Sequence, residues 1–429
     1  MLFSYIFICL LINFVNSNSE YCELTKSSEQ NCGNKYINNK RYILYDVNPS
    51  EGFNLRRDVY IRVAVFIKNL IKHDHKYQWH LVLPPWNNLY HWRSRDIEQN
   101  KLPWGLFFNV DSMKKYIPVM EMYEFIEEYD SKNKITNLDK VLVLQNDPKM
   151  FETGDFKDKS IIVECTNVRF KKKGGKVTGF FWGYDNITAS ELNCIEFHGT
   201  TSRLVNNLNP SVDKSYMIDH MEIPLHDHYG SGDFWSARRS MRYNNELYEI
   251  ANEFREKFLN SSDGRDKTER PEDWREEKSG RNAIGGPYLA VHLRRRDFLT
   301  GRSESVPTIK SAGRQLIEKL KELDLGTVFV ATDADGEEYK ELKKHLKGYN
   351  VYKYIPTDYV KNKFKDGGVA IVDQIISSYA RYFIGTYEST FTFRIQEDRE
   401  ILGFKKKTTF NSLCGKKKCQ KSSQWTITY

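Results

Sequence analysis

From residue 288 to residue 402 the chain switches, at short and regular intervals, between two hydrophobic periods. Residues 288–293, 327–331, 351–354 and 382–385 are short apolar runs of the kind buried on both faces of a parallel sheet. Between them, residues 309–323, 337–346 and 368–379 space their apolar side chains as helices do, and 391–402 closes the series with one more helix. The segments joining the strands are too long for hairpins. That leaves βαβ crossovers, which lay helices over a parallel sheet. Sheets of this kind take ligands at the carboxyl ends of their strands.

The N-terminal part opens the same way. Residues 42–47 form a strand-like run stopped by Asn48-Pro49-Ser50, since proline cannot donate to a ladder and Asn and Ser favour turns. Val59, Val63, Phe66, Ile67, Leu70 and Ile71 then recur at helical spacing, and a second strand, 79–83, ends at Pro84-Pro85. This places Glu51-Gly52-Phe53-Asn54 at a strand's carboxyl end. An acidic residue there is equally at home as a complement to a helix dipole. Further strands are expected at 141–144 and 160–163 and a helix at 243–258, whereas residues 171–176 read as a loop. The charge-dense stretch 259–282 reads as a surface loop or linker. The expected fold class is therefore α/β, with two Rossmann-like domains, 18–258 and 283–429, facing a central cleft. Trp86, Tyr90, Trp92, Trp104, Phe107 and Phe108 suit core packing, or a groove if exposed.

Residues 1–17 carry no charge and form an apolar stretch too short for a comfortable membrane span, ending in a small-residue cleavage pattern. They read as a signal peptide, with a signal anchor as the alternative, and no later segment is apolar enough to span a bilayer. The seven cysteines fit a secretory chain, because Cys9 lies in the leader and an even set remains. Proximity pairs Cys22 with Cys32, Cys165 with Cys194 and Cys414 with Cys419. Asn186 and Asn260 head glycosylation sequons. A net charge of +8 suits an anionic ligand, but 65 basic against 57 acidic residues is too balanced for a nucleic-acid binder.

The second chemical cluster is His292-Leu293-Arg294-Arg295-Arg296-Asp297, directly after a strand. A guanidinium fork there can bind diphosphate oxygens bidentately, or can simply pair with Asp297. His226-Asp227-His228 and the pair His73 and His75 each supply two imidazoles and no third ligand, which is short of a zinc site.

Taken in order, Asp46-Val-Asn-Pro-Ser-Glu-Gly-Phe-Asn-Leu-Arg-Arg-Asp58, Leu83-Pro-Pro-Trp86, His292–Asp297, Phe329-Val-Ala-Thr-Asp333, Asp366-Gly-Gly-Val-Ala-Ile-Val-Asp-Gln374 and Ser389-Thr-Phe391 closely resemble the protein O-fucosyltransferase family, in its branch acting on thrombospondin type 1 repeats. The resemblance implies a GT-B fold and an inverting transfer of fucose from GDP-β-L-fucose to a Ser or Thr hydroxyl of a folded repeat. It makes Glu51 the general base and Arg294 the group that steadies the departing GDP. It places Ser50, Gly52, Phe53, Asn54, His292, Leu293, Asp373, Ser389, Thr390 and Phe391 around the donor. It implies no required metal or cofactor, and residence in the lumen of the endoplasmic reticulum. Ser50 stands where the family pattern has proline, which predicts a less rigid turn. Asp333-Ala-Asp335 matches a metal-binding Asp-x-Asp in form, but reads as a strand-end loop. Two other readings are a repeat-binding chaperone and a glycan-directed fucosyltransferase.

Overall fold

A computed structural model describes residues 39–129, 135–154, 156–166, 168–416 and 419–429. The leader at 1–17, Cys22 and Cys32 lie outside the described residues. Two sheets carry the fold. The first contains β1 (Lys40–Tyr45), β2 (Gln78–Leu83), β3 (Val119–Glu121), β4 (Thr136–Gln145), β5 (Lys159–Val163), β6 (Phe170–Lys173), β7 (Lys176–Gly179), β8 (Ile187–His198) and β9 (Ser215–Asp219). Its order is β3-β2-β1-β9-β4-β8-β7-β6, with β5 also on β8. The strands from β3 to β8 along this order pair in parallel, whereas β5, β6 and β7 are antiparallel additions. The second sheet holds β10 (Gly286–Leu293), β11 (Thr327–Thr332), β12 (Asn350–Tyr352) and β13 (Ala380–Gly385), all parallel, in the order β12-β11-β10-β13.

The helices of nine residues or more are numbered α1 (Phe53–His73), α2 (Gly232–Ser240), α3 (Asn245–Leu259), α4 (Ile309–Glu322), α5 (Gly336–His345), α6 (Asp358–Ser378) and α7 (Thr390–Leu402). α1 is buried almost all round in its first half because it lies between the first sheet and elements of the C-terminal half. Val59, Val63, Phe66 and Ile67 are fully or nearly fully buried on it, each contributing about 1.5–3 kcal/mol by leaving water. One contiguous apolar cluster takes in Ile43 of β1, Val59 of α1, Ala290 of β10, Phe329 of β11 and Ile375 of α6. The two sheets therefore share a core.

Three local expectations change. Residues 171–176 are not a loop but the tip of a hairpin, β6–β7, in which Gly174 (φ 58°) and Gly175 (φ 77°) form the two-residue turn that only left-handed residues close without strain. Residues 259–282 contain no long element, yet Ser261, Asp266, Thr268, Trp274 and Glu277 are buried. Their charge is satisfied internally: Arg270 and Arg242 both donate to Glu277, and Arg255 donates to Asp263. The helix expected at 368–379 begins earlier, at Asp358, and breaks at Lys365 (φ 57°) just before Asp366-Gly367. Cys165–Cys194 and Cys414–Cys419 are disulfide-bonded. Among the described residues no helix is long and apolar enough to cross a membrane.

Candidate active site

In both sheets the opening strand has its successor on one side and the last strand of the sheet on the other: β1 lies between β2 and β9, and β10 between β11 and β13. Ligands of open α/β sheets sit where the strand order reverses in this way. The loop after β1 carries Glu51. Asn48, Pro49 and Ser50 turn the chain, and the Glu51 amide donates to the Asn48 carbonyl at 2.9 Å. Arg56, one turn into α1, fixes this loop from behind. It donates to the Asp46 carboxylate (3.2 Å), the Asn48 carbonyl (3.1 Å) and the Glu51 carbonyl (3.0 Å). Rigidity that a proline at position 50 would supply thus comes from a guanidinium instead. Ser50 itself is exposed and bonds back to Asn48.

Burial raises the carboxyl of Glu51 above the usual glutamate range, and the nearby Glu222, carried just beyond β9, pushes it the same way against the pull of Arg56 and Arg62. That is the direction a general base needs. Gly52 caps α1 in extended backbone, and a Cβ added there would stand 2.8 Å from the His91 ring. The bare α-carbon accommodates the His91 imidazole. Phe53 turns its ring inward onto Trp86 (centroids 4.7 Å apart), so only its backbone remains near the loop. Asn54 is held by Gln374 and Arg57, whose donors reach its Oδ1 at 2.9 and 3.1 Å.

On the other side, β10 ends at His292 and Leu293. Leu293 is buried in the core of its own sheet. His292 is buried against the Phe391 ring (4.4 Å, stacked), and its Nδ1 lies 2.8 Å from the Thr392 hydroxyl. That hydroxyl spends its proton on the Thr386 carbonyl, so Nδ1 must be the donor to it. Burial, then Arg294, lowers the imidazole to about 3, so it is neutral and its Nε2 is a bare acceptor. The Arg294 amide donates to Thr386 Oγ1 (2.8 Å), and its guanidinium is clamped by Asp297 and Asp333. Ser389 is the residue that caps α7, and Thr390 is exposed at the first turn, where amide donors and the helix dipole suit an anion. Asp373 lies on α6 beside Lys353 and Tyr354, beyond β12. Its Oδ1 is buried without a hydrogen-bond partner, and burial lifts the acid to about 7.

The two sides meet at His91. Its Nδ1 is 3.4 Å from Arg294 Nη2, and the same ring covers Gly52. The loop bearing His91 is docked on α6 by Asp366, which accepts from the Arg93 amide (2.5 Å), the Ser94 amide (2.8 Å) and the Ser94 hydroxyl (2.7 Å). Gly367 is needed beside it, because a Cβ would stand 2.8 Å from Phe107 and 2.9 Å from Trp92. Sequence reasoning missed His91, Arg56 and the docking role of Asp366. The Asp366-Gly-Gly run is the one signal available for the last.

The Glu51 loop and the Arg294 guanidinium thus lie on either side of His91. Residues 42–402 match the family model for GDP-fucose protein O-fucosyltransferase. This chain belongs to that family. It is 45% identical to human GDP-fucose protein O-fucosyltransferase 2 over 91% of this chain and 90% of the relative, and 43% identical to the Caenorhabditis elegans protein of the same name over 91% of each. Crystal structures of POFUT1 share the fold: the complex with GDP-fucose has a TM-score of 0.57 at 17% identity, covering 88% of this chain and 99% of that one.

Within this O-fucosyltransferase the Asp333-Ala-Asp335 pair has other work. Asp333 accepts from Arg294 and, at 2.7 Å, from the Arg295 amide. Asp335 caps α5, accepting from the Glu337 and Glu338 amides at 3.0 and 2.8 Å. His226 is likewise engaged, its Nε2 lying 3.1 Å from Asp58.

Proposed function

We propose that this protein is an inverting O-fucosyltransferase, moving fucose from GDP-β-L-fucose to a Ser or Thr hydroxyl of a folded thrombospondin type 1 repeat. The observation that carries the reading is that the loops bearing Glu51 and Arg294, which follow strands of different sheets, meet at one imidazole: His91 lies against Gly52 and 3.4 Å from the guanidinium. Glu51 takes the hydroxyl proton as the oxygen attacks the anomeric carbon, a role worth about 10²–10⁴-fold. Arg294 and the amides opening α7 receive the charge that develops on the leaving diphosphate. Arg294 keeps its Nε proton and one Nη1 proton without a partner among the described residues, so it can do this without leaving its clamp. His292 Nε2 and Asp373 accept from the nucleoside, and Phe391 gives it an apolar wall. Residues 18–258 supply the base and acceptor side, and 283–429 the donor side.

No metal is required in this scheme, since the leaving charge already has a fixed cation. The disulfides Cys165–Cys194 and Cys414–Cys419 support an oxidising, secretory compartment, and this reading places the chain in the endoplasmic reticulum, acting on a disulfide-bonded acceptor. The test is incubation with GDP-fucose and a folded repeat, followed by mass measurement of the repeat. One added deoxyhexose, unaffected by a chelator and lost on reducing the repeat, is the expected result. An unmodified repeat that still binds would favour a chaperone, and product only on a sugar acceptor would favour a glycan-directed enzyme.

A further inference from the structure

Among the groups bordering the cleft, His91 is the one the mechanism above leaves unused. It sits outside both sheets, in the loop that follows β2, and it is exposed in the free protein. Its position is nonetheless fixed from both directions. Asp366 of α6 holds Arg93 and Ser94, two and three residues further along its loop, through three hydrogen bonds, and Trp92 is buried against Phe53 and Phe107.

The protonation state of the ring follows from its neighbour. A guanidinium has five donors and no lone pair, so the 3.4 Å approach of Arg294 Nη2 is favourable only if Nδ1 carries no proton. The charged groups facing the ring are Arg294 and Arg93, which oppose an imidazolium, and Asp297 and Asp333, which favour one. Although the residue as a whole keeps solvent access, partial desolvation of the ring by the atoms packed on it, followed by Arg294, outweighs the two aspartates and holds it below the usual histidine range. The neutral ring then carries its proton on Nε2, which with Cδ2 forms the ring edge turned to Gly52. One nitrogen serves the donor-side arginine, and the other edge of the ring seats the base loop.

Two carboxylates alone leave the guanidinium free to rock about the line joining them. A third anchor on the second Nη2 proton sets its plane, and with it the direction of the Nε and Nη1 protons that remain. We infer that His91 is a positioning residue for fucosyl transfer: through an acceptor Nδ1 it orients Arg294 toward the nucleotide diphosphate, and through its ring it keeps the Glu51–Gly52 turn in register with that guanidinium. This rests on the donor-side reading of Arg294 proposed above.

The test compares His91→Phe, which fills the same space against Gly52 but cannot accept, with His91→Asn, whose Oδ1 can stand near the Nδ1 position. GDP affinity by calorimetry and kcat and KM for GDP-fucose are measured on variants whose thermal melts match the original. The inference expects His91→Phe to lose about tenfold in GDP affinity with a parallel fall in kcat, and His91→Asn to regain most of the affinity, the scale of one charged hydrogen bond. It is overturned if His91→Phe binds GDP and turns over like the original, or if Phe and Asn are equally impaired, since ring packing alone would then explain the residue. An unsubstituted protein that binds no GDP at all is a separate result, which removes the role of Arg294 itself.

Discussion

Nη1 of Arg57, near the start of α1, donates a 2.7 Å hydrogen bond to Oε1 of Gln374 on α6, linking the helix that follows the base loop to the half that faces the nucleotide. Gln374 in turn donates to Asn54, and Arg57 to the Tyr243 hydroxyl, which donates to Asp398 at 2.9 Å. All of this lies in the interior, where an unmatched donor is expensive. Gln374→Leu takes one partner from Arg57 and one from Asn54 at once, leaving the 3.1 Å bond between them and the Arg57–Tyr243 bond. It is expected to lower stability by about 2–4 kcal/mol in denaturant titration, more than an isosteric loss of apolar contact would.

Glu51 is held above its ordinary range mainly by burial, with Glu222 second. The base must be ionised to act, so kcat/KM falls as pH drops through the raised value. Glu222→Gln keeps an acceptor for the Asn48 amide but removes the like charge. The acid limb of the pH profile should then move to lower pH. A limb that stays put, or moves up, would mean that another group controls it.

Arg56 touches no substrate in this account, yet it fixes three points of the loop that carries the base. Arg56→Ala should lower kcat by about ten- to a hundredfold through misplacement of Glu51, while the KM for GDP-fucose changes little. Steady-state kinetics separate the two parameters.

Asp373 supplies a second pH signature. Its acid titrates at about 7 in the free protein, and only the carboxylate can accept two donors from a base edge. GDP should therefore bind more tightly as pH rises from about 6 to about 8. In Asp373→Asn the binding should be weaker and that part of the pH dependence absent, both measurable by calorimetry.

Most of the architecture is legible in the sequence because parallel strands buried on both faces are written as unbroken apolar runs. β10, β11 and β13 fall within a few residues of where that pattern lies. β8 escapes it, since Ile187–His198 mixes buried and exposed positions without strict alternation. β9 is fully buried but only five residues long, and Ser215 and Asp219 mask it. The lysines of Lys171–Lys173 hide a hairpin whose Gly174-Gly175 turn is in plain view. For the site, Glu51 and Arg294 are readable from position and motif. His91 is not, because a lone imidazole in an aromatic loop has no spacing to betray it, and its meaning comes from Gly52 and Arg294 arriving beside it. Arg57 and Gln374 look like solvent-facing helix residues until the other half of the chain covers them.

The central claim is that one carboxylate does the proton chemistry while a separate guanidinium holds the leaving group. Glu51→Gln preserves shape and hydrogen bonding but removes the base. With folded repeat and GDP-fucose both saturating, kcat should fall by about 10²–10⁴-fold, while GDP affinity by calorimetry stays within about twofold. Transfer at near the original rate in Glu51→Gln would contradict the account.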